Sequence, residues 1–185
     1  SESLITSFVF YNNRVYLGTS AGNIYEFNLL NNNLVSILNL ESYISDLKII
    51  NNELYFSSSN HQKPFYSKYN LKDNTYQVLN SEIPVNSFEV IDSISFLGTD
   101  KGILINNKNN NEITNLMNNE IDLGVITKIK HHKKSNKLFI STFSNGLYSL
   151  NLNNNCKIDK PIISQSDTIY KCFDEQITLN IENFN

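Results

Sequence analysis

The sequence predicts an all-β fold assembled from repeated four-stranded antiparallel units. Three observations carry that prediction. Apolar stretches of about 5–7 residues follow one another along the chain, separated by turns rich in Asn, Asp, Ser and Gly. No segment holds a helical hydrophobic period over roughly 11 residues or more. The pattern also recurs with a period near forty residues.

The repeat is visible when four stretches are aligned: "NNRVYLGTSAGNIYEFNL", "NNELYFSSSNHQKPFYSKYNL", "VIDSISFLGTDKGILINN" and "SNKLFISTFSNGLYSLNL". Each holds an apolar strand that ends in a small or hydroxyl pair, then a short turn and a second strand. Tyr16, Tyr55, Phe96 and Phe139 are equivalent, as are Gly18-Thr19, Ser57-Ser58, Gly98-Thr99 and Ser141-Thr142. Gly22 recurs as Gly102 and Gly146. In front of each motif stands one more strand ("LITSFVFY", "YISDLKII", "PVNSFEVI", "VITKIKHH"). Behind the first three stands another ("NLVSILNL", "TYQVLNSE", "NEITNLMN").

A four-stranded sheet cannot bury both faces alone. Stacked face to face around an axis, such sheets bury one another, so the period identifies the units as β-propeller blades. The expected blades are residues 3–40, 43–80, 84–118 and 124–160, with a partial fifth at 166–185. Tyr16, Tyr55, Phe96 and Phe139, on the second strand of each blade, are expected to form the apolar layers between blades. The Gly18–Gly22 stretch has the look of a phosphate loop but lacks the Gly-Lys-Ser/Thr ending. An alternating strand follows it, where a phosphate loop needs a helix. Gly22, Gly102 and Gly146 are therefore expected to supply positive φ in hairpin corners. Ending partway through a blade, the chain is expected to be an open arc or fragment of a longer propeller, or to pair with another chain through exposed terminal blades.

Val15-Tyr16-Leu17-Gly18-Thr19 with Gly22-Asn23-Ile24-Tyr25 resembles two related repeat families. One is the pyrroloquinoline-quinone-like repeat of quinoprotein dehydrogenases and of outer-membrane assembly lipoproteins. The other is the propeller repeat of bacterial two-component sensors, to which "LFISTFSNGLYSLN" and "ISFLGTDKGILINN" are similar. The resemblance covers most of residues 3–152 and implies the fold. The sequence departs from both families in having no Trp. Blade two also lacks the glycine pair and carries the insertion "NHQKP".

Composition narrows the function classes. A net charge of −3 gives no electrostatic footprint for nucleic acid, and no apolar run approaches the roughly 18 residues of a membrane span. The opening "SESLITSFVF" shows no signal-peptide pattern. Asn is about one residue in six, while Arg14 and Ala21 are the single Arg and Ala. That bias reads as a low-GC genome, with Asn filling loops that accept any polar residue. No Asn-x-Ser/Thr occurs, which fits either glycosylation avoidance or the apolar residues that follow so many Asn.

No Ser-His-Asp or Cys-His arrangement is legible, and the histidines lack carboxylate or Cys partners at metal-ligand spacing. The even count of two cysteines, Cys156 and Cys172, fits a disulfide, but the expected blades put them on opposite edges, farther apart than the ~7 Å Cα limit, so two free thiols are favoured over a disulfide. The atypical surfaces are the insertion around His61, Gln62, Lys63 and Pro64 and the loop His131-His132-Lys133-Lys134. These are the candidate binding residues. The expectation is a non-enzymatic binding, scaffold or sensory module, without cofactor or metal, presenting loops to a protein or small molecule. The sensor resemblance implies an extracytoplasmic input domain. The alternative is a cofactor-dependent propeller enzyme, a quinoprotein-like dehydrogenase or a hydrolase, which would need a cofactor-stacking Trp and metal-binding carboxylates.

Overall fold

The computed structural model describes residues 3–107, 112–116, 123–152, 159–163, 168–170 and 176–178. It divides into two compact units, Ser1–Val90 and Ile91–Asn185. The first sheet has the order β1 (Ile5–Tyr11), β2 (Arg14–Thr19), β3 (Asn23–Asn28), β4 (Asn33–Asn39). The second runs β5 (Asp46–Ile50), β6 (Glu53–Ser58), β7 (Phe65–Asn70), β8 (Tyr76–Asn80). The third contains β9 (Ser87–Ile91), β10 (Ile94–Thr99), β11 (Gly102–Asn107) and β12 (Glu112–Asn115). The fourth contains β13 (Ile126–His132), β14 (Lys137–Thr142), β15 (Leu147–Asn151) and β16 (Asp159–Ile163). A two-stranded sheet, β17 (Thr168–Tyr170) with β18 (Gln176–Thr178), follows. Among the described residues, then, there are four four-stranded antiparallel sheets in simple meander order, the blades of a β-propeller.

The hairpin corners show why the repeat reads as it does. Asn12-Asn13 joins β1 to β2, and Asn51-Asn52 joins β5 to β6. All four have positive φ, at 46°, 59°, 51° and 64°, the signature of a two-residue turn that matches strand twist. Asn28, Asn31, Asn39, Asn60, Asn70 and Asn80 each accept a backbone N–H two residues on, at strand ends. The expectation that Asn merely fills tolerant loops is corrected here: at these positions the side chain or the left-handed backbone makes the turn.

The corner after each second strand is held by the recurrent hydroxyl. Thr19 Oγ1 accepts the Asn23 N–H at 3.0 Å and donates to the Asn23 carbonyl at 3.1 Å. Thr99 Oγ1 donates to the Gly102 carbonyl at 2.9 Å, and Thr142 Oγ1 to that of Gly146 at 3.0 Å. Gly22, Gly102 and Gly146 take φ of 87°, 103° and 88°. The "GTSAG" stretch is a hairpin corner.

In the first unit the core lies between the first two sheets. Tyr16 and Ile24 pack against Ile44, Leu47, Leu54, Phe56, Phe65 and Tyr69. Full burial of such side chains contributes about 1.5–3 kcal/mol each. Ile44 donates its N–H to the Thr19 carbonyl, and the Thr6 hydroxyl donates to the Ile44 carbonyl at 2.6 Å. The same clip recurs one blade on. Val85 N–H donates to the Ser58 carbonyl, and the Ser45 hydroxyl donates to the Val85 carbonyl at 2.6 Å. Tyr55 stacks on Tyr66, which packs against Phe88. Between β5 and β9, the buried Asp46 carboxylate accepts the Ser87 hydroxyl at 2.8 Å and the Phe88 N–H at 3.2 Å.

The second unit has its own core, formed by Phe96 and Ile103 of the third sheet with Ile126, Ile129, Leu138, Ile140, Tyr148 and Leu150 of the fourth. Of the four equivalent aromatics, Tyr16, Tyr55 and Phe96 are buried. Phe139 is half-buried, with the His132 ring against its edge.

Candidate functional site

A cleft of about 370 Å³ opens at one end of the first unit, where the corners of two blades meet. The β1–β2 hairpin supplies Tyr11 and Asn12, and β2 itself supplies Arg14 and Tyr16. Asn52, from the β5–β6 corner, and Leu71 and Lys72, from the turn after β7, complete the wall. Strand alternation explains the placement: Arg14 and Tyr16 are two apart, so both stand on the face of β2 turned toward the second sheet.

The walls are tied together by hydrogen bonds. Arg14 Nη1 donates to Glu26 Oε2 at 3.0 Å, and the Tyr16 hydroxyl donates to the same oxygen at 3.0 Å. Glu26 stands opposite Tyr16 on β3, so one hairpin register builds the trio. The Tyr11 hydroxyl donates to Asn52 Oδ1, closing one corner on the other. The Arg14 side chain stays 45% exposed, so its charge is open to the cleft. Its pKa is raised, first by its hydrogen bond with Tyr16 and then by the charge of Glu26. Tyr16 is pushed above the ordinary phenol value, chiefly by burial. Tyr69 moves the same way, again chiefly by burial, and its hydroxyl donates to Asn74 Oδ1 at 2.8 Å. These phenols remain protonated donors at neutral pH. The Tyr16 and Tyr11 hydroxyl protons are committed to Glu26 and Asn52, so the donors the wall offers a ligand are the Arg14 guanidinium, the Lys72 ammonium and the Asn12 and Asn52 amides, suited to a ligand with acceptor oxygens.

The second blade repeats the trio with its charges inverted. Glu53 holds the place of Arg14 and Lys68 that of Glu26. Lys68 Nζ lies 2.6 Å from Glu53 Oε1, and the Tyr55 hydroxyl donates to Glu53 Oε2 at 2.9 Å. At the same positions the third blade has Ile94, Phe96 and Ile105.

The sequence-predicted residues lie elsewhere. His61, Gln62 and Lys63 are exposed and Pro64 half-buried, in the β6–β7 connection at the opposite end of the blade from the cleft. That connection is anchored: the Ser42 hydroxyl donates to the Lys63 carbonyl at 2.8 Å, and Lys63 Nζ pairs with Glu41 at 3.1 Å. His131 and His132 are the last two residues of β13 rather than part of a loop, and Lys133–Ser135 form a single 3-10 turn. His131 Nε2 lies 3.0 Å from Asn136 Oδ1 and His132 Nδ1 lies 2.8 Å from the Ser135 hydroxyl, so both rings bond within their own hairpin. By repeat position this turn matches the β1–β2 corner, whereas His61–Pro64 matches the β2–β3 corner. The two stretches occupy opposite ends of their blades. Cys156 and Cys172 lie outside the described residues. Among the described residues no group of three or more His, Cys, Asp or Glu is placed to hold a metal ion, and no helix is long and apolar enough to cross a membrane.

Arg14, Glu26 and Lys72 escaped the sequence reading. One signal was present: Arg14 is the single Arg in a chain that otherwise uses Lys.

No protein-family model matches the chain, and no curated protein matches it. Solved structures do. The extracellular domain assigned to the hybrid two component system BT4673 of B. thetaiotaomicron superposes with a TM-score of 0.68 at 18% identity, over 89% of this chain and 22% of that one. A chain of the nidogen/laminin complex gives 0.66 at 10% identity, over 91% of this chain and 71% of the other. The computationally designed Ika4 protein gives 0.63 at 15% identity, over 82% and 92%. The chain thus spans about a fifth of the length of the BT4673 domain. At these identities the likeness is one of fold.

Proposed function

We propose that the protein is a non-enzymatic binding module, of the sensory or scaffold type, whose cleft beside Arg14 takes a carboxylate-bearing ligand. The observation that carries this reading is the donor wall: Arg14 and Lys72 flank the Asn12 and Asn52 amides in a concave site of about 370 Å³. A carboxylate matches the fork of a guanidinium and the amide donors beside it. Burial keeps the Tyr16 phenol protonated, and its hydrogen bond to Glu26 fixes the carboxylate that in turn orients Arg14. The likeness to an extracellular domain of a two component system supports an input role outside the cytoplasm.

The test is isothermal titration of the chain with dicarboxylates from succinate to adipate, at low and high NaCl. Saturable binding that weakens with salt is expected. Arg14→Lys and Lys72→Gln should each weaken it about tenfold or more, since a charge-assisted hydrogen bond contributes about 1.5–3 kcal/mol. Absence of saturable binding, or equal affinity in both variants with the fold intact, overturns the reading.

A further inference from the structure

The geometry points to the outer face of β1 as a docking surface for a second copy of this chain, which seats the β14 face of its fourth blade there. The repeat itself supplies the argument. In backbone register, Ile5 and Phe8 of β1 match Ile44 and Leu47 of β5 and Ile126 and Ile129 of β13. The clip that Val85 shares with Ile44 adds Val85 and Phe88 to the set. Ile44, Val85, Phe88, Ile126 and Ile129 are all 0% exposed and Leu47 is 4%, yet Ile5 is 61% and Phe8 60% exposed. Leu4 at 69% and Phe10 at 65% extend the patch, with the Phe8 and Phe10 rings edge to face at 5.7 Å. Four large apolar side chains exposed together on β1 and the residue just before it mark an interface.

The chain also shows what covers this position. Ile44 and Leu47 lie against the second strand of the preceding blade, over Gly18 and beside Tyr16. Ile126 and Ile129 lie in the same way over Gly98, beside Phe96. The occupant of the β1 face is therefore a strand of the form aromatic-x-small. Among the described residues three such strands are already used: Tyr16-x-Gly18, Tyr55-x-Ser57 and Phe96-x-Gly98 are buried or in contact with the blade that follows. The fourth, Phe139-x-Ser141 on β14, is half-buried. A second copy presenting β14 to β1 continues the interface already built inside the molecule. This association is head-to-tail, so it gives chains or rings rather than a symmetric dimer. It does not depend on the ligand of the cleft.

Sedimentation velocity on the full chain tests the proposal. The mass is expected to rise with concentration, and Phe8→Asp on β1 and Ser141→Glu on β14 should each give monomer. Ser141→Glu enlarges the small position while leaving Phe139 in place, and circular dichroism checks that both variants keep their strand signal. Mixing the two variants is the deciding experiment. Each retains one intact face, so an equimolar mixture should form a one-to-one heterodimer that neither forms alone. A wild-type chain that stays monomeric at every concentration overturns the proposal. So does self-association that survives in Ser141→Glu, which would mean two β1 faces pairing with each other. A mixture that remains monomeric overturns it as well.

Discussion

Gly18 and Ile44 are packed so closely that a β-carbon on the glycine would lie 2.5 Å from the isoleucine's Cγ2, and 3.2 Å from Leu47 Cδ1. Gly98 stands in the same relation to Ile126, at 2.6 Å. The glycine at the end of the second strand is thus a seat for the next blade. Its backbone needs no unusual φ there, which separates it from the corner glycines.

Gly18→Ala and Gly98→Ala are each expected to destabilise by about 1–3 kcal/mol through overpacking. Gly102→Ala meets no atom within 4 Å but sits at φ 103°, so its cost of about 1–3 kcal/mol comes from backbone strain. Urea unfolding of double mutants separates the two causes. Gly98→Ala should couple with Ile126→Ala by more than about 0.5 kcal/mol, and Gly102→Ala should not.

The ion pairs of the first unit differ in surroundings, and their loss should differ accordingly. Lys48 and Glu89 pair at 2.9 Å with side chains only 13% and 12% exposed, whereas Lys63 and Glu41 are 59% and 76% exposed. Lys48→Met is expected to cost more than about 1 kcal/mol, and Lys63→Met less than that. Chemical denaturation at 0.5 M NaCl should erase the Lys63 effect and leave most of the Lys48 effect.

Alkaline pH should weaken the fold before it breaks it. Burial raises the phenols of Tyr16, Tyr55 and Tyr69 above their ordinary value of 10.0, and the neighbouring carboxylates Glu53 and Glu26 push Tyr55 and Tyr69 further. A group whose folded value is raised stabilises fully below its unfolded value, here about 10, and loses that contribution as pH climbs toward the folded one. Stability measured by urea should therefore fall progressively above pH 10, and absorbance at 295 nm should show a set of phenols that ionise late. Tyr55→Phe should flatten the decline.

Asn51 is expected to accept glycine and reject valine. At φ 51° a β-branched residue costs about 1–2 kcal/mol, while glycine takes the conformation freely. Thermal melts of Asn51→Gly and Asn51→Val should bracket the wild type, with valine well below it.

The blade period was legible because its markers are local. A hydroxyl that bridges a corner stands a few residues before a glycine at positive φ in three of the four blades, so Thr19 with Gly22, Thr99 with Gly102 and Thr142 with Gly146 align by eye. The cleft was not legible, because Arg14, Asn52 and Lys72 come from three corners that only the stacking of two blades brings together. The role of Gly18 was hidden for the same reason: its partner Ile44 lies in the next unit. The His61 insertion and the His131-His132 stretch stand out as departures from the repeat, yet the insertion is anchored through Lys63 and the His131 ring bonds within its own hairpin. The Asn excess concealed real turn chemistry, since composition alone cannot separate Asn28, which closes a turn, from one that fills space.

The inverted charges around Tyr16 and Tyr55 bear on how such a chain finds its own order. Units of one shape are prone to pair with the wrong neighbour while folding. Here the polar surroundings of the equivalent aromatic change from blade to blade: Arg14 with Glu26, then Glu53 with Lys68, then Ile94 with Ile105. Each trio lies within its own blade and would travel with it, so a blade taken out of turn would keep its buried hydroxyl bonded but set that polar or apolar edge against a neighbour other than the one it packs beside here.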